Sequence, residues 1–207
     1  MTQKTTAGVL ASTEQTLATA RAGLEDVTGS RLERRSAGLR NLVVFGRAVT
    51  NVLQNLRSTE TAFDDWYRPY VAQMASDPLL KFLYKLRTEI LKEGTAPTKV
   101  ALSIKQFEFP MDMRKFGPPP ANAGSFFIGD SQGGTGWEVA LPDGSTAKYY
   151  VDLPGDIGEV SLHLAGAPTE HLGVTLADSR LETICTIYVA YLDRLVRAAR
   201  QRFGGGA

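Results

Sequence analysis

Arg87, Glu89 and Lys92 stand within two helical turns of one another in the run Leu86-Arg87-Thr88-Glu89-Ile90-Leu91-Lys92-Glu93-Gly94. A guanidinium and an ammonium at that spacing can grip a phosphate or steady the charge of a phosphorane. Read by themselves, the three residues also fit a hydrated helix end with a weak ion pair. Proton transfer at neutral pH asks for a different group. A histidine with an ordinary pKa of about 6.5 exchanges protons there, whereas a lysine near about 10.4 stays charged unless buried. Lys92 therefore suits phosphate binding better than general-base work. The only histidines, His163 and His171, lie eight residues apart across a strand end, and Cys185 is the only cysteine. Neither pattern makes a zinc site or an intramolecular disulfide, and no metal or cofactor is expected. Asp130-Ser131-Gln132-Gly133-Gly134-Thr135-Gly136 is glycine-rich but lacks a Gly-Lys-Ser/Thr ending and leads into a strand, which argues against a phosphate loop.

The element that positions Arg87 and Lys92 carries its own start and stop signals. Asp77 supplies a cap, Pro78 fits the first helical position, and Gly94 supplies a left-handed end. Between them Leu79, Leu83, Leu86 and Ile90 fall on one face. Upstream, a helix is expected from Ser12 or Thr13 to Val27, with Ser12 and Gln15 as a partial capping box. Thr28-Gly29-Ser30 breaks it. A long helix over 31–56 follows. Its stripe is Leu39, Leu42, Gly46, Val49, Leu53 and Leu56, and its other face is rich in Arg and Asn, including Asn41 and Arg47. Gly46 within the stripe predicts close approach by another helix. Glu60 to Met74 forms an aromatic helix that Pro69 should kink or confine to one side. Asp64, Asp65, Trp66, Tyr67 and Arg68 there line a pocket or form a half-buried aromatic wedge.

After Gly94 the composition turns to strands: one over Val100 to Phe107, a proline loop over Phe116 to Gly124, and a short apolar run over Ser125 to Ile128. A hairpin of Trp137–Leu141 and Thr146–Leu153 turns at Pro142-Asp143-Gly144-Ser145, and another strand covers Glu159 to Leu164. Ser179-Arg180-Leu181-Glu182 is a capping box for a last helix striped by Leu181, Ile184, Tyr188, Leu192 and Leu195. Gly204 to Ala207 reads as a frayed tail. The fold class is mostly α with a β insertion (α+β). One domain covers 1–207: a helical bundle from 12–94 and 178–203 with a strand-rich insertion at 98–165 and no internal repeat. The helices either side of the insertion should pack side by side.

Charge is unevenly spread. Ala121 to Asp178 holds eight acidic residues against Lys148 alone, in a chain of net charge +1. The basic remainder is a solvated surface, a partner for the acidic segment, or a face for nucleic acid. The amino terminus is polar and no run of about 18 apolar residues occurs, so neither a signal peptide nor a membrane span is expected, and a cytoplasmic protein is.

The long basic helix, the aromatic helix and Leu86 to Gly94 ahead of a final amphipathic helix resemble the HEPN superfamily. That resemblance implies a helical bundle that dimerises, in many members a ribonuclease of toxin, antiphage or RNA-processing systems. Its motif is an Arg, often followed by a polar residue, with a His after a spacer of four to six residues. Two such motifs meet across the dimer and cleave RNA without metal. Arg87 and Thr88 match the start of the motif, and Lys92, Glu93 or Gly94 stand where the His belongs, Lys92 at the shortest spacing. The resemblance thus implies a homodimeric, non-catalytic binding or regulatory protein associated with RNA. Arg87 and Lys92 would contact phosphate, with Glu89 beside them and Asn41 and Arg47 in the same groove. Two alternatives stay open. One is a metal-independent ribonuclease with Arg87 and Lys92 as its catalytic groups. The other is an interaction module that binds a protein partner along the exposed strands of the insertion.

Overall fold

The computed structural model describes residues 4–29 and 31–205. Ser30 of the expected first break, the first three residues and the last two of the expected tail lie outside them. The chain forms two compact units: 1–96 with 166–207, and 97–165.

In the first unit, α1 (Thr6–Thr28) starts earlier than the sequence pattern predicts. Thr5 caps it, its hydroxyl accepting from Gly8 N at 3.1 Å. Val9 and Leu10 are buried and extend the apolar stripe of Leu17, Ala20 and Val27 backward, so Ser12 and Gln15 fall in the helix interior. A 3-10 turn, Leu32–Arg34, leads into α2 (Arg35–Leu53), and a second, Gln54–Ser58, closes it. The predicted helix over 31–56 is therefore α-helical only in its middle. Its whole stripe from Leu39 to Leu56 is buried. α3 (Phe63–Ser76) runs through Pro69 instead of stopping on one side of it. Phe63 stacks on Tyr67 ahead of the proline, and Tyr70 and Met74 pack against the same core beyond it, so packing on both sides of the proline outweighs its missing donor.

α4 (Pro78–Glu93) begins and ends as its residues dictate. Asp77 accepts from Leu80 N at 2.8 Å, Pro78 opens the first turn, and Gly94 takes φ 74°. Leu79, Leu83, Leu86 and Ile90 are all buried. A short hairpin, β6 (Glu170–His171) with β7 (Val174–Thr175), precedes α5 (Leu181–Phe203). α5 starts within two residues of Ser179; Arg180 is the cap residue without a side-chain bond to the helix, and Asp178 accepts from Arg180 N at 2.9 Å. Cys185, in the buried stripe of α5, is held as a neutral thiol, burial pushing its pKa far up.

α2 is the common neighbour of the bundle, packing on α1, α4 and α5. Contrary to the sequence expectation, α4 and α5 are not among the closely packed helix pairs. Both rest on α2, and their aromatic residues line a cavity in which they face one another.

The second unit holds an antiparallel pair, β1 (Thr98–Ile104) with β5 (Gly158–Leu164), and a sheet in the order β2 (Ala123–Ile128), β3 (Thr135–Ala140), β4 (Thr146–Val151). The hairpin β3–β4 pairs Trp137 with Tyr149 and Ala140 with Thr146. Gly144 takes φ 82° in its turn, and the Asp143 carboxylate accepts from Ser145 N. Phe126 lies 4.7 Å from Phe116 and 4.8 Å from Trp137 between ring centres, the aromatic centre of this unit. The chain is thus α+β. Among the described residues, no helix is long and apolar enough to cross a membrane.

Candidate functional site: a basic groove and a tyrosine-lined cavity

The five residues singled out by the sequence are distributed over several places in the helical unit. Asn41 on α2 and Lys92 on α4 come together. With Arg40, Phe45, Leu91 and Glu93 they line a groove of about 510 Å³ where α2 passes the end of α4. Arg40, Asn41 and Lys92 are exposed, and Phe45 and Leu91 keep 38% and 55% of their surface in solvent. Arg87 does not line this groove. Its side chain is half-buried, and its Nε is buried without a hydrogen-bond acceptor. Glu89 is exposed and outside the groove.

Arg47 belongs to a different place, a cavity of about 550 Å³ walled by α2, α3, α4 and α5. The buried wall is built by Thr50 of α2, Tyr67 of α3, and Tyr188, Tyr191 and Leu192 of α5. Nearer solvent are Arg57, Val71, Lys81, Tyr84 and Lys85. No Asp or Glu lines it. Arg47 is half-buried: its Nη1 donates to Thr50 Oγ1 at 2.6 Å, and its guanidinium lies 5.5 Å from the Tyr84 ring centre. Arg57 donates to Asp64 at 2.6 Å and to Gln54 at 3.1 Å. Arg47, Lys81 and Lys85 make no ion pair with the described residues.

Tyr67 and Tyr191 expose only 1% and 3% of their surface, and each hydroxyl is buried without a hydrogen bond. The Thr50 hydroxyl beside Tyr67 is already engaged, donating to the Arg47 carbonyl at 2.9 Å. Burial raises the pKa of Tyr67 despite the opposing influence of Arg47, Arg57 and Thr50. Burial raises Tyr188 and Tyr191 as well. All three phenols are therefore neutral at physiological pH, and the two unpaired hydroxyls are donors. The wall depends on Gly46, as its place in the stripe predicts. A Cβ there would stand 2.5 Å from Tyr188 Cε1, so glycine is what lets that ring come so close to α2.

Asp77 has a second task beyond capping. Its Oδ2 accepts from Leu172 N at 2.6 Å and its Oδ1 lies 3.1 Å from His171 Nδ1, which ties the β6–β7 hairpin to the start of α4. His171 packs edge-on against Tyr191 at 6.0 Å. His163 lies on β5 beside Ser161 at 2.9 Å. Among the described residues, no three His, Cys, Asp or Glu side chains gather where one metal ion would reach them.

The loop between β2 and β3 contains a serine motif. Gly129-Asp130-Ser131-Gln132-Gly133 has the Gly-x-Ser-x-Gly spacing of a nucleophile elbow. The elbow needs a strand, a sharp turn and a helix, whereas here β2 turns directly into β3. Asp130 closes that turn, accepting from Gln132 N and Gly134 N at 2.9 Å and from Lys148 Nζ and Tyr150 Oη at 2.7 Å. The motif is a structural loop.

Signals for the cavity were present but ambiguous. Lys81 and Lys85 are one turn apart and flank Tyr84 on α4, and Tyr188 and Tyr191 stand three apart on α5. Either pattern by itself reads as a solvated or a core face. No protein-family model, curated protein or solved structure matches the chain.

Proposed function

We propose that the helical unit is a non-catalytic RNA-binding module of HEPN-like type, and that the groove between α2 and the end of α4 carries the contact. The observation behind this reading is the meeting of Asn41, Arg40 and Lys92 from two helices, beside the exposed Phe45 ring. Cations next to an exposed aromatic suit single-stranded nucleic acid: charge tracks the phosphates and the ring stacks a base. Glu93, also in the groove, restricts how closely a phosphate approaches at that end. Dimerisation, implied by the resemblance, is part of the same proposal.

Single-stranded RNA of mixed sequence is the probe. Arg40→Glu with Lys92→Glu should weaken binding at least about tenfold and lower the salt slope by about 2, close to one unit per lost phosphate contact. Unchanged binding in that double variant retires the groove. Cleavage of the same RNA without added metal, abolished by Arg87→Ala, would replace this reading with the ribonuclease one. Sedimentation of the wild type reads the oligomeric state.

A further inference from the structure

We propose that the cavity between α2, α3, α4 and α5 is a separate binding site for an amphipathic organic anion. This ligand would have a carboxylate or phosphate head and an apolar body. The inference does not rest on RNA binding at the groove.

The size and lining of the cavity point to a small molecule. At about 550 Å³ it lies within the range of small-molecule sites. Apolar and aromatic side chains dominate its wall, and Val71, Met74, Leu80 and Leu192 offer nothing that would bind a highly polar body. Its charge has one sign. Arg47, Arg57, Lys81 and Lys85 reach it and no carboxylate does. Of these, only Arg57 is tied to an acidic residue, the exposed Asp64. Lys81 and Lys85 lie one turn apart at the exposed side, so an anionic head placed between them and Arg47 gains charge-assisted hydrogen bonds.

The buried side has a different chemistry. The Tyr67 and Tyr191 hydroxyls are sealed from solvent, so these residues offer a ligand their rings rather than their polar ends. Exposure thus orders the site, with cations at the rim and aliphatic side chains and tyrosine rings below them. Arg47 links the levels: it lies against the rim residue Tyr84 and bonds to Thr50, next to Tyr67. An inorganic anion would use only the rim, and a neutral lipid only the apolar part below it.

Calorimetric titration of the whole chain with dodecanoate, dodecyl phosphate, ω-hydroxydodecanoate and dodecanol tests the assignment. The carboxylate and the phosphate should bind and dodecanol should bind at least about tenfold more weakly. The ω-hydroxy acid should bind more weakly than dodecanoate, since the apolar end of the cavity gives its hydroxyl no partner. Lys81→Glu with Lys85→Glu, both exposed and safe for folding, should cost the anions about tenfold or more and leave dodecanol unchanged. Tyr67→Phe with Tyr191→Phe should keep dodecanoate binding, because the ligand meets the rings and not the hydroxyls. Circular dichroism confirms the fold of each variant. Lack of binding by either anion, or equal affinity for dodecanol, overturns the proposal. Arg40→Glu with Lys92→Glu should leave these titrations unchanged. A parallel loss there would place the anion in the groove and refute the cavity.

Discussion

Replacing Asp77 by Ala should cost the helical unit about 3 to 4 kcal/mol, read by urea unfolding followed through helical circular dichroism. Loss of an N-cap accounts for about 1 kcal/mol. The remainder comes from Leu172 N and His171, which lose a charged acceptor in a place where Asp77 keeps only 4% of its surface exposed. A hydrogen bond to a charged group contributes about 1.5 to 3 kcal/mol. Asp77→Asn keeps an oxygen for the cap and should lose roughly half as much. Burial by itself would raise the Asp77 pKa. The hydrogen bonds from Leu172 N, Leu80 N and His171 outweigh it, so the carboxyl lies below its ordinary value. A depressed carboxyl stabilises the fold fully above its unfolded pKa of about 4. The advantage of wild type over Asp77→Ala should therefore be constant above about pH 4 and disappear as the pH falls through the lowered native value. A difference below about 0.5 kcal/mol at neutral pH would mean that the hairpin and α4 do not depend on this carboxylate.

Gly23→Val should destabilise the same unit by about 3 kcal/mol or more, because α1 and α2 touch through their backbones there. A Cβ on Gly23 would stand 2.6 Å from the Gly38 carbonyl and 2.7 Å from Leu42 N. One on Gly38 would stand 2.6 Å from Asp26 Cβ and 2.7 Å from the Gly23 carbonyl. Neither obstacle is the free end of a side chain, so the helices must separate. Alanine in a helix gains up to about 1 kcal/mol over glycine from propensity, and crowding has to exceed that. Gly23→Ala should thus be destabilising on balance, with a smaller loss than valine. Gly46→Ala should cost less than Gly23→Ala, since its obstacle is the Tyr188 ring, a side chain that can turn at some cost to the cavity wall. A gain in stability for Gly23→Ala would show that the two helices do not press together at this point.

Local signals were legible wherever the interaction that decides the structure lies within a few residues. Asp77, Pro78 and Gly94 bound α4, since a cap, a missing donor and a left-handed residue act on the nearest turn. The hairpin around Asp143 and Gly144 is local in the same way. A start that depends on packing was placed wrongly: α1 begins before Ser12 because Val9 and Leu10 find a core. The stripe on α2 was readable from its period, including the close approach at Gly46. The Gly23–Gly38 contact was not, since nothing near either glycine states which backbone faces it.

The candidate sites divide along the same line. The sequence by itself determined which residues carry charge, that no paired cysteines or clustered histidines supply a metal site, and that Lys92 stands where the HEPN resemblance calls for a histidine. Tertiary structure alone decided that Asn41 and Lys92 share a groove, that Arg87 stays out of it, and that Arg47 joins tyrosines from three other helices. Residue type sets what a side chain can do chemically, but its neighbours depend on how helices far apart in the chain pack. α2 supports both α4 and α5, and Tyr67 and Tyr191 line a common cavity only because of that packing.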